Sequence, residues 1–223
     1  KSSFQKKYLE DSGLSIVKNE SALDRFRERM MFPIHSFSGR VLGFGGRTLQ
    51  KDNKAKYVNS PESLIYLKSK ILYGIYFAKQ HISKQNNCYI VEGYTDVISL
   101  HQAEVENVVS SSGTSLTSEQ IKLINRFTKN ITILFDGDAA GLKASFRSID
   151  MILAEGMNVK VVVFPNGEDP DSFAQKCSQE ALINYLQENQ KDFITFKTNI
   201  LSKDTNEDPA KRVEMIKDIA SSI

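Results

Sequence analysis

From Asn86 onward, short apolar runs alternate with stretches of helical period. Apolar runs at about 88–92, 107–111, 130–136 and 158–164 read as buried strands, with helices at about 95–104, 117–127 and 140–155 between them. Such alternation predicts a parallel sheet with right-handed crossovers and helices on both faces. Thr117-Ser-Glu-Gln120 has the spacing of a capping box at one helix start. Beyond Pro170 the pattern is helical throughout, in segments 172–176, 179–189, 192–201 and 209–223.

The first part of the chain is patterned differently. Residues 1–20 open on a basic, helix-like piece without a start methionine, as a fragment of something longer does. Residues 21–31 read as a short helix, capped by Ser21, carrying Arg25, Arg27 and Arg29 and ended by Pro33. Residues 39–49 alternate like a strand, yet Gly39, Gly43, Gly45 and Gly46 demand a bulge or a close backbone approach. No helix follows these glycines, which disfavours a dinucleotide-binding loop and leaves Arg47 suited to a phosphate. Lys56, Tyr57 and Asn59 lie on a basic, aromatic turn that can grip a phosphate, stack on a base and bond a sugar. Residues 61–84 read as helical, with Leu64, Ile65, Leu67, Leu72, Tyr73, Tyr76 and Phe77 in the core and Lys68 and Lys70 among them.

Three predicted strands end in acids. Asp136-Gly-Asp138 follows the run ending at Phe135, Glu92 follows the first strand with Asp96 in the next helical turn, and Glu168-Asp-Pro-Asp171 follows the fourth. In open α/β sheets ligands bind at that carboxyl edge. Neighbouring carboxylates repel unless a cation or proton intervenes. A turn with Asp138 as helix cap accounts for Asp-Gly-Asp alone, but three clusters at one edge point to a cation site. The loop 110–115, rich in serine, sits at the same edge and can donate hydroxyls and amides to phosphate.

With 223 residues, 40% hydrophobic and 25% charged, the chain is an ordinary globular protein. No apolar run approaches the ~20 residues of a membrane span, and the start lacks a signal-peptide core, so a cytoplasmic location without membrane contact is expected. Cys88 and Cys177 cannot make a zinc site by themselves and read as reduced and structural. His35, His81 and His101 are scattered singly and carry no ligand pattern. The net charge is only +2, but residues 1–80 hold 15 Lys and Arg against 7 Asp and Glu, while residues 81–223 hold 14 against 20. A polyanion on the first part and divalent cations on the second would produce that asymmetry.

The ordered set Glu92-Gly-Tyr-Thr-Asp96, Phe135-Asp-Gly-Asp138 with Gly141, and Glu168-Asp-Pro-Asp171 resembles the Toprim domain. Its flanks, Asp24-Arg-Phe-Arg-Glu-Arg29, Gly43-Phe-Gly-Gly-Arg47, Lys56-Tyr-Val-Asn-Ser-Pro-Glu62 and Leu72-Tyr-Gly74, resemble the central RNA polymerase domain of bacterial, DnaG-type replicative primases. The resemblance covers nearly the whole chain. It implies a basic α/β lobe over residues 1–84, a Toprim parallel sheet flanked by helices over 85–166, and a helical carboxy-terminal subdomain over 167–223. It also implies synthesis of RNA primers on single-stranded DNA from ribonucleoside triphosphates, with two or more magnesium or manganese ions. Carried over by residue, Glu92, Asp136, Asp138, Asp169 and Asp171 match the metal-binding acids. Glu92, Asp96, Asp136 and Asp138 match the catalytic set, and Arg25, Arg47, Lys56, Tyr57, Asn59 and Lys68 the template and nucleotide side. The family's zinc-binding and helicase-binding domains have no counterpart in this stretch, so helicase contact is expected through a part absent here and no zinc within it. The competing readings are a Toprim nuclease and a nucleic-acid or nucleotide-binding module whose acids no longer catalyse.

Overall fold

The computed structural model describes residues 5–18, 21–50, 55–113, 115–137, 139–165, 167–204, and 213, 216, 217, 219 and 220. Asp138, and most of the helix expected over 209–223, lie outside the described residues.

The amino-terminal lobe opens with α1 (Lys6–Asp11) and an antiparallel pair, β1 (Ser15–Lys18) and β2 (Ser21–Asp24). A three-stranded antiparallel sheet follows, in which β3 (Arg29–His35) and β5 (Tyr57–Asn59) flank β4 (Val41–Thr48). The helix expected over residues 21–31 is therefore two strands and a turn. Phe26 is buried against Gly46, and Glu28 takes a positive φ of 59°, which breaks any helix there. Pro33, which looked like a helix stop, sits inside β3 because that strand is an edge and needs no amide donor on its open side.

The glycines of β4 serve close approach. A Cβ on Gly45 would stand 2.6 Å from the Tyr94 ring, and one on Gly46 would stand 2.7 Å from Phe26. A register shift at Ile34/His35 supplies a bulge as well.

Residues 61–74 are not helical, apart from one 3-10 turn at Lys68–Lys70; α2 spans only Ile75–Gln85. Gly74 at φ 85° and Pro61 keep the preceding segment irregular. The expected apolar face divides accordingly. Leu72 is buried and Tyr73 half-buried, whereas Leu64, Ile65, Tyr76 and Phe77 are exposed.

The second sheet runs in the order β10-β9-β8-β6-β7. Its strands β6 (Cys88–Val91), β7 (Val108–Ser110), β8 (Asn130–Phe135) and β9 (Asn158–Val163) are all parallel, as the alternation predicts. The connecting helices are α3 (Tyr94–Gln102), α4 (Ser118–Asn125) and α5 (Ala139–Ala154). Side chains alternate between two cores. Cys88, Ile90, Ile131 and Ile133 pack under α2, α4 and α5, while Tyr89, Val91 and Leu134 pack under α3 and the later helices. The capping box at Thr117 forms, with Gln120 N–H donating to Thr117 Oγ1 at 3.2 Å and Thr117 N–H to Gln120 Oε1 at 3.0 Å.

The tail contributes α6 (Pro170–Lys176), α7 (Gln179–Glu188), β10 (Lys191–Asp192) and α8 (Phe193–Asp204). It is not wholly helical, since β10 adds an antiparallel edge to β9. Both cysteines are free thiols, and burial pushes the Cys88 thiol far up from its ordinary value. Among the described residues no helix is long and apolar enough to cross a membrane.

Candidate functional site

The carboxyl edge of the parallel sheet faces the glycine-rich strand of the first lobe, and a cavity of about 300 Å³ opens between them. One wall carries Glu92, Asp96, Asp136, Asp169 and Asp171; the other carries Arg47, Lys56, Tyr57 and Asn59. Fourteen residues line it, and those nine come from the charged, aromatic and amide positions singled out in the sequence.

Each acid is placed by a local device. Glu92 follows the last residue of β6 and is exposed, and Asp136 follows the last residue of β8. Asp96 lies in the first turn of α3, where its Oδ2 accepts the Gly93 N–H at 2.8 Å. The carboxylate is buried, and burial above all raises its pKa to about 6. The Gly93 amide opposes that rise, while Asp169 and Asp171 add to it. The acids of the 168–171 segment do not end β9 directly as the sequence implied. Asp169 is instead the N-cap of α6, accepting Ser172 N–H at 2.6 Å, and Asp171 sits in that helix's first turn. Ser99 Oγ on α3 and Gln175 Nε2 on α6 hold one Asp171 oxygen at 2.5 and 2.6 Å. The Gly137 N–H donates to the Glu168 carbonyl at 2.9 Å, so the turns after β8 and β9 are fastened together. Glu168 does not line this cavity; Lys176 and Ser172 engage its carboxylate and lower its pKa.

The opposite wall is tied to the same helix. Tyr94 is buried, lies flat against Phe32 at 5.1 Å between centroids and meets Tyr73 edge-on at 4.7 Å. Its hydroxyl donates to Asn59 Oδ1 at 2.9 Å, and Asn59 Nδ2 donates onward to the Ser112 carbonyl at 3.4 Å. The Arg47 guanidinium stands 5.7 Å from the Tyr57 ring centroid, fixing a cation and an aromatic side by side.

Two expected positions fall outside this cavity. Arg25 Nε donates to the Gly13 carbonyl at 2.8 Å, which secures the turn between α1 and β1. Lys68 borders a small neighbouring cavity that shares Asn59 and Ser112 with the main one. Sequence reasoning missed the connecting residues Tyr94, Ser99 and Ser172. Ser172 was legible as the fourth position of an Asp-x-x-Ser cap. Ser99 was legible only as the residue one turn beyond Asp96, and Tyr94, although inside the Glu92–Asp96 motif, carried no sign that it bridges to Asn59.

Five carboxylates around one crevice suit a hard divalent cation, which would relieve the repulsion between them. Among the described residues no three acidic, histidine or cysteine side chains form a ready-made cage. Magnesium does not ask for one: it binds through one or two carboxylates together with phosphate and water.

Comparisons with known proteins show what the chain is similar to. The pattern described as DNA primase catalytic core, N-terminal domain, matches residues 1–79, and the Toprim-like pattern matches residues 89–174. The DNA primase of Clostridium acetobutylicum is 42% identical over 217 residues, covering 96% of this chain and 36% of that protein. A solved DnaG primase catalytic domain bound to single-stranded DNA is 35% identical, with a TM-score of 0.85 over 97% of this chain and 72% of that one. The RNA polymerase domain of Mycobacterium tuberculosis primase DnaG is 33% identical, with a TM-score of 0.85, covering 99% and 74%. The chain spans about a third of the length of the curated relatives it matches.

Proposed function

The chain belongs to the DnaG-type DNA primase family, and from that premise we propose that it is the catalytic core that makes RNA primers on single-stranded DNA from ribonucleoside triphosphates. One observation carries the reading. A single crevice sets an acid wall, able to hold divalent cations, against a wall bearing Arg47, Lys56 and Tyr57.

The chemistry divides between the walls. Joining a ribonucleotide to a 3′-hydroxyl develops charge on the attacking oxygen, the phosphoryl oxygens and the departing pyrophosphate. Magnesium or manganese, when bound, stabilises that charge. Glu92, Asp136, Asp138, Asp169 and Asp171 would hold the ions, and Ser99 and Ser172 keep two of those carboxylates oriented. Arg47 and Lys56 draw phosphate to the cavity and fix its position without reading sequence. Tyr57 offers a face for a base, and Asn59, held by Tyr94 and Ser112, is poised as a sugar or base contact. Asp96 serves as a positioning residue, since its carboxylate locks the turn that presents Glu92.

The functional partition follows the lobes: residues 1–84 on the template and nucleotide side, 85–166 as the Toprim unit and 167–223 as a helical subdomain that adds Asp169 and Asp171 to the acid wall. The partners are single-stranded DNA, ribonucleoside triphosphates and the growing primer, with helicase contact made elsewhere in the full protein. Incorporation of labelled ribonucleotides on a single-stranded template, with magnesium or manganese, tests the proposal. Metal-dependent products of primer length support it. Template binding without incorporation would leave a binding module and overturn the enzymatic reading.

A further inference from the structure

Between the lysine of β5's entry and the lysines of the 3-10 turn, the chain makes a small closed loop with an apolar tip. Leu64 is fully exposed, at 104% relative to its reference state, and Ile65 is 59% exposed. Mobility does not explain that exposure, because the loop is fastened on every side. Ser63 and Tyr66 exchange backbone hydrogen bonds at 2.9 and 3.3 Å, and the Tyr66 N–H also donates to Ser63 Oγ at 3.1 Å. The Glu62 carboxylate turns back to accept the Lys68 N–H at 2.9 Å, so the loop's one acid is spent on closing it. Tyr66 is buried beneath Gly43, and the far limb is pinned to α4 where Gln120 Nε2 donates to the Lys68 carbonyl at 3.0 Å.

We infer that Leu64 and Ile65 form a rigid apolar wedge that packs against the faces of template bases as single-stranded DNA approaches the cavity. A partner that brings both a polyanionic backbone and flat apolar faces matches an apolar tip on a loop flanked along the chain by Lys56, Lys68 and Lys70. Tyr66 and Lys68, which follow the tip, line the small cavity that shares Asn59 and Ser112 with the acid crevice, so the loop that carries the tip adjoins it. Aliphatic side chains placed between or against bases are a recurrent means of steering a strand. The inference rests on the reading of the crevice as a primase site.

The test replaces template bases one at a time with 2-aminopurine and compares wild type with the Leu64→Ser/Ile65→Ser double variant. Both positions are exposed, so the melting temperature serves as a control and should not fall. Wild type should change the fluorescence at one template position, and the double variant should not. At about 0.3 M salt, where phosphate contacts are weakened, the double variant should bind roughly tenfold more weakly with an unchanged salt slope. Equal affinity and equal fluorescence in the two proteins would overturn the wedge while leaving the template site intact. A double variant that binds DNA normally but loses self-association in sedimentation would overturn it too, by assigning the tip to a protein contact. Failure of wild type to bind single-stranded DNA at all would instead remove the parent reading.

Discussion

The two walls of the crevice reach the same place by opposite means. On the acid wall, carboxylates are delivered by regular architecture: parallel strands stop at one edge, and helix caps orient Asp96, Asp169 and Asp171. On the basic wall, Arg47, Lys56, Tyr57 and Asn59 ride on or beside a three-stranded antiparallel sheet that reaches the acids through Tyr94, which packs on Gly45 and Phe32 and bonds Asn59. At the strand ends of the first wall, Glu92 and Asp136, the chemistry is expected to be separable from packing, so charge can be removed there with little change to the fold. In the second, the groups that position ligand also join the lobes, so small changes in shape should alter both stability and binding.

The largest expected effect tests that separability. Asp136→Asn keeps the side chain's shape and removes its charge, so ribonucleotide incorporation should fall by two orders of magnitude or more. Asp136 is half-buried at the strand's end, and the thermal melt should shift by no more than about 1 kcal/mol. Wild-type activity would remove Asp136 from the ion-holding set, and collapse of the melt would mean that charge and packing are not separate on this wall.

The opposite result is expected across the crevice. Gly45→Ala places a methyl group 2.6 Å from the Tyr94 ring, which is itself wedged between Phe32 and Tyr73 and has little room to yield. Overpacking of that kind costs about 1–3 kcal/mol. The melt should fall, and template affinity should fall with it as Asn59 and Arg47 are displaced. Gly113→Ala is the control: it lines the same cavity at φ 78°, yet nothing lies within 4 Å of the added methyl. Its cost should be confined to backbone strain of about 1 kcal/mol.

The same contrast explains what could be read from the sequence. The parallel strands, their order of acids and the capping box at Thr117 were legible because each is a local pattern with a strong period or cap chemistry. In the basic lobe only the glycine-rich strand and the turn before β5 were. Residues 21–31 carry closely spaced arginines that suit a helix, and only the burial of Phe26 against Gly46 makes them strands and a turn. Leu64 and Ile65 were assigned to a core because their spacing fits one, and exposure leaves no mark on spacing. Two-residue β10 carries no period at all, and its pairing with β9 is set wholly by tertiary context.

A finer cut separates the hydroxyl of Tyr94 from its ring. Tyr94→Phe retains the stack on Phe32 and removes the donor to Asn59 Oδ1. Stability should drop by about 1 kcal/mol, the usual net worth of one such bond. Freed of that restraint, Asn59 should position the incoming nucleotide less well, so KM should rise a few-fold with kcat nearly constant. A change in kcat alone would place Tyr94 among the reacting groups instead.

The smallest effect asks which positive charges belong to the basic wall at all. Arg25 and Lys56 both counted toward the basic excess of the first 80 residues, but their surroundings differ. Lys56 lines the cavity opposite the acids, whereas the Arg25 guanidinium is engaged by the Gly13 carbonyl at the base of the lobe. A lysine that contacts one phosphate of a single strand should contribute about 0.7 to the slope of log affinity against log salt. Lys56→Ala should therefore flatten the slope by about that amount, with little change in the melt. Arg25→Ala should leave the slope alone and instead lose up to about 1.5 kcal/mol of stability through the missing hydrogen bond. Fluorescence anisotropy of a labelled oligonucleotide over a salt series, with a melt for each variant, separates the two. A flattened slope in Arg25→Ala would carry the strand across the base of the lobe and extend the basic wall well beyond the crevice.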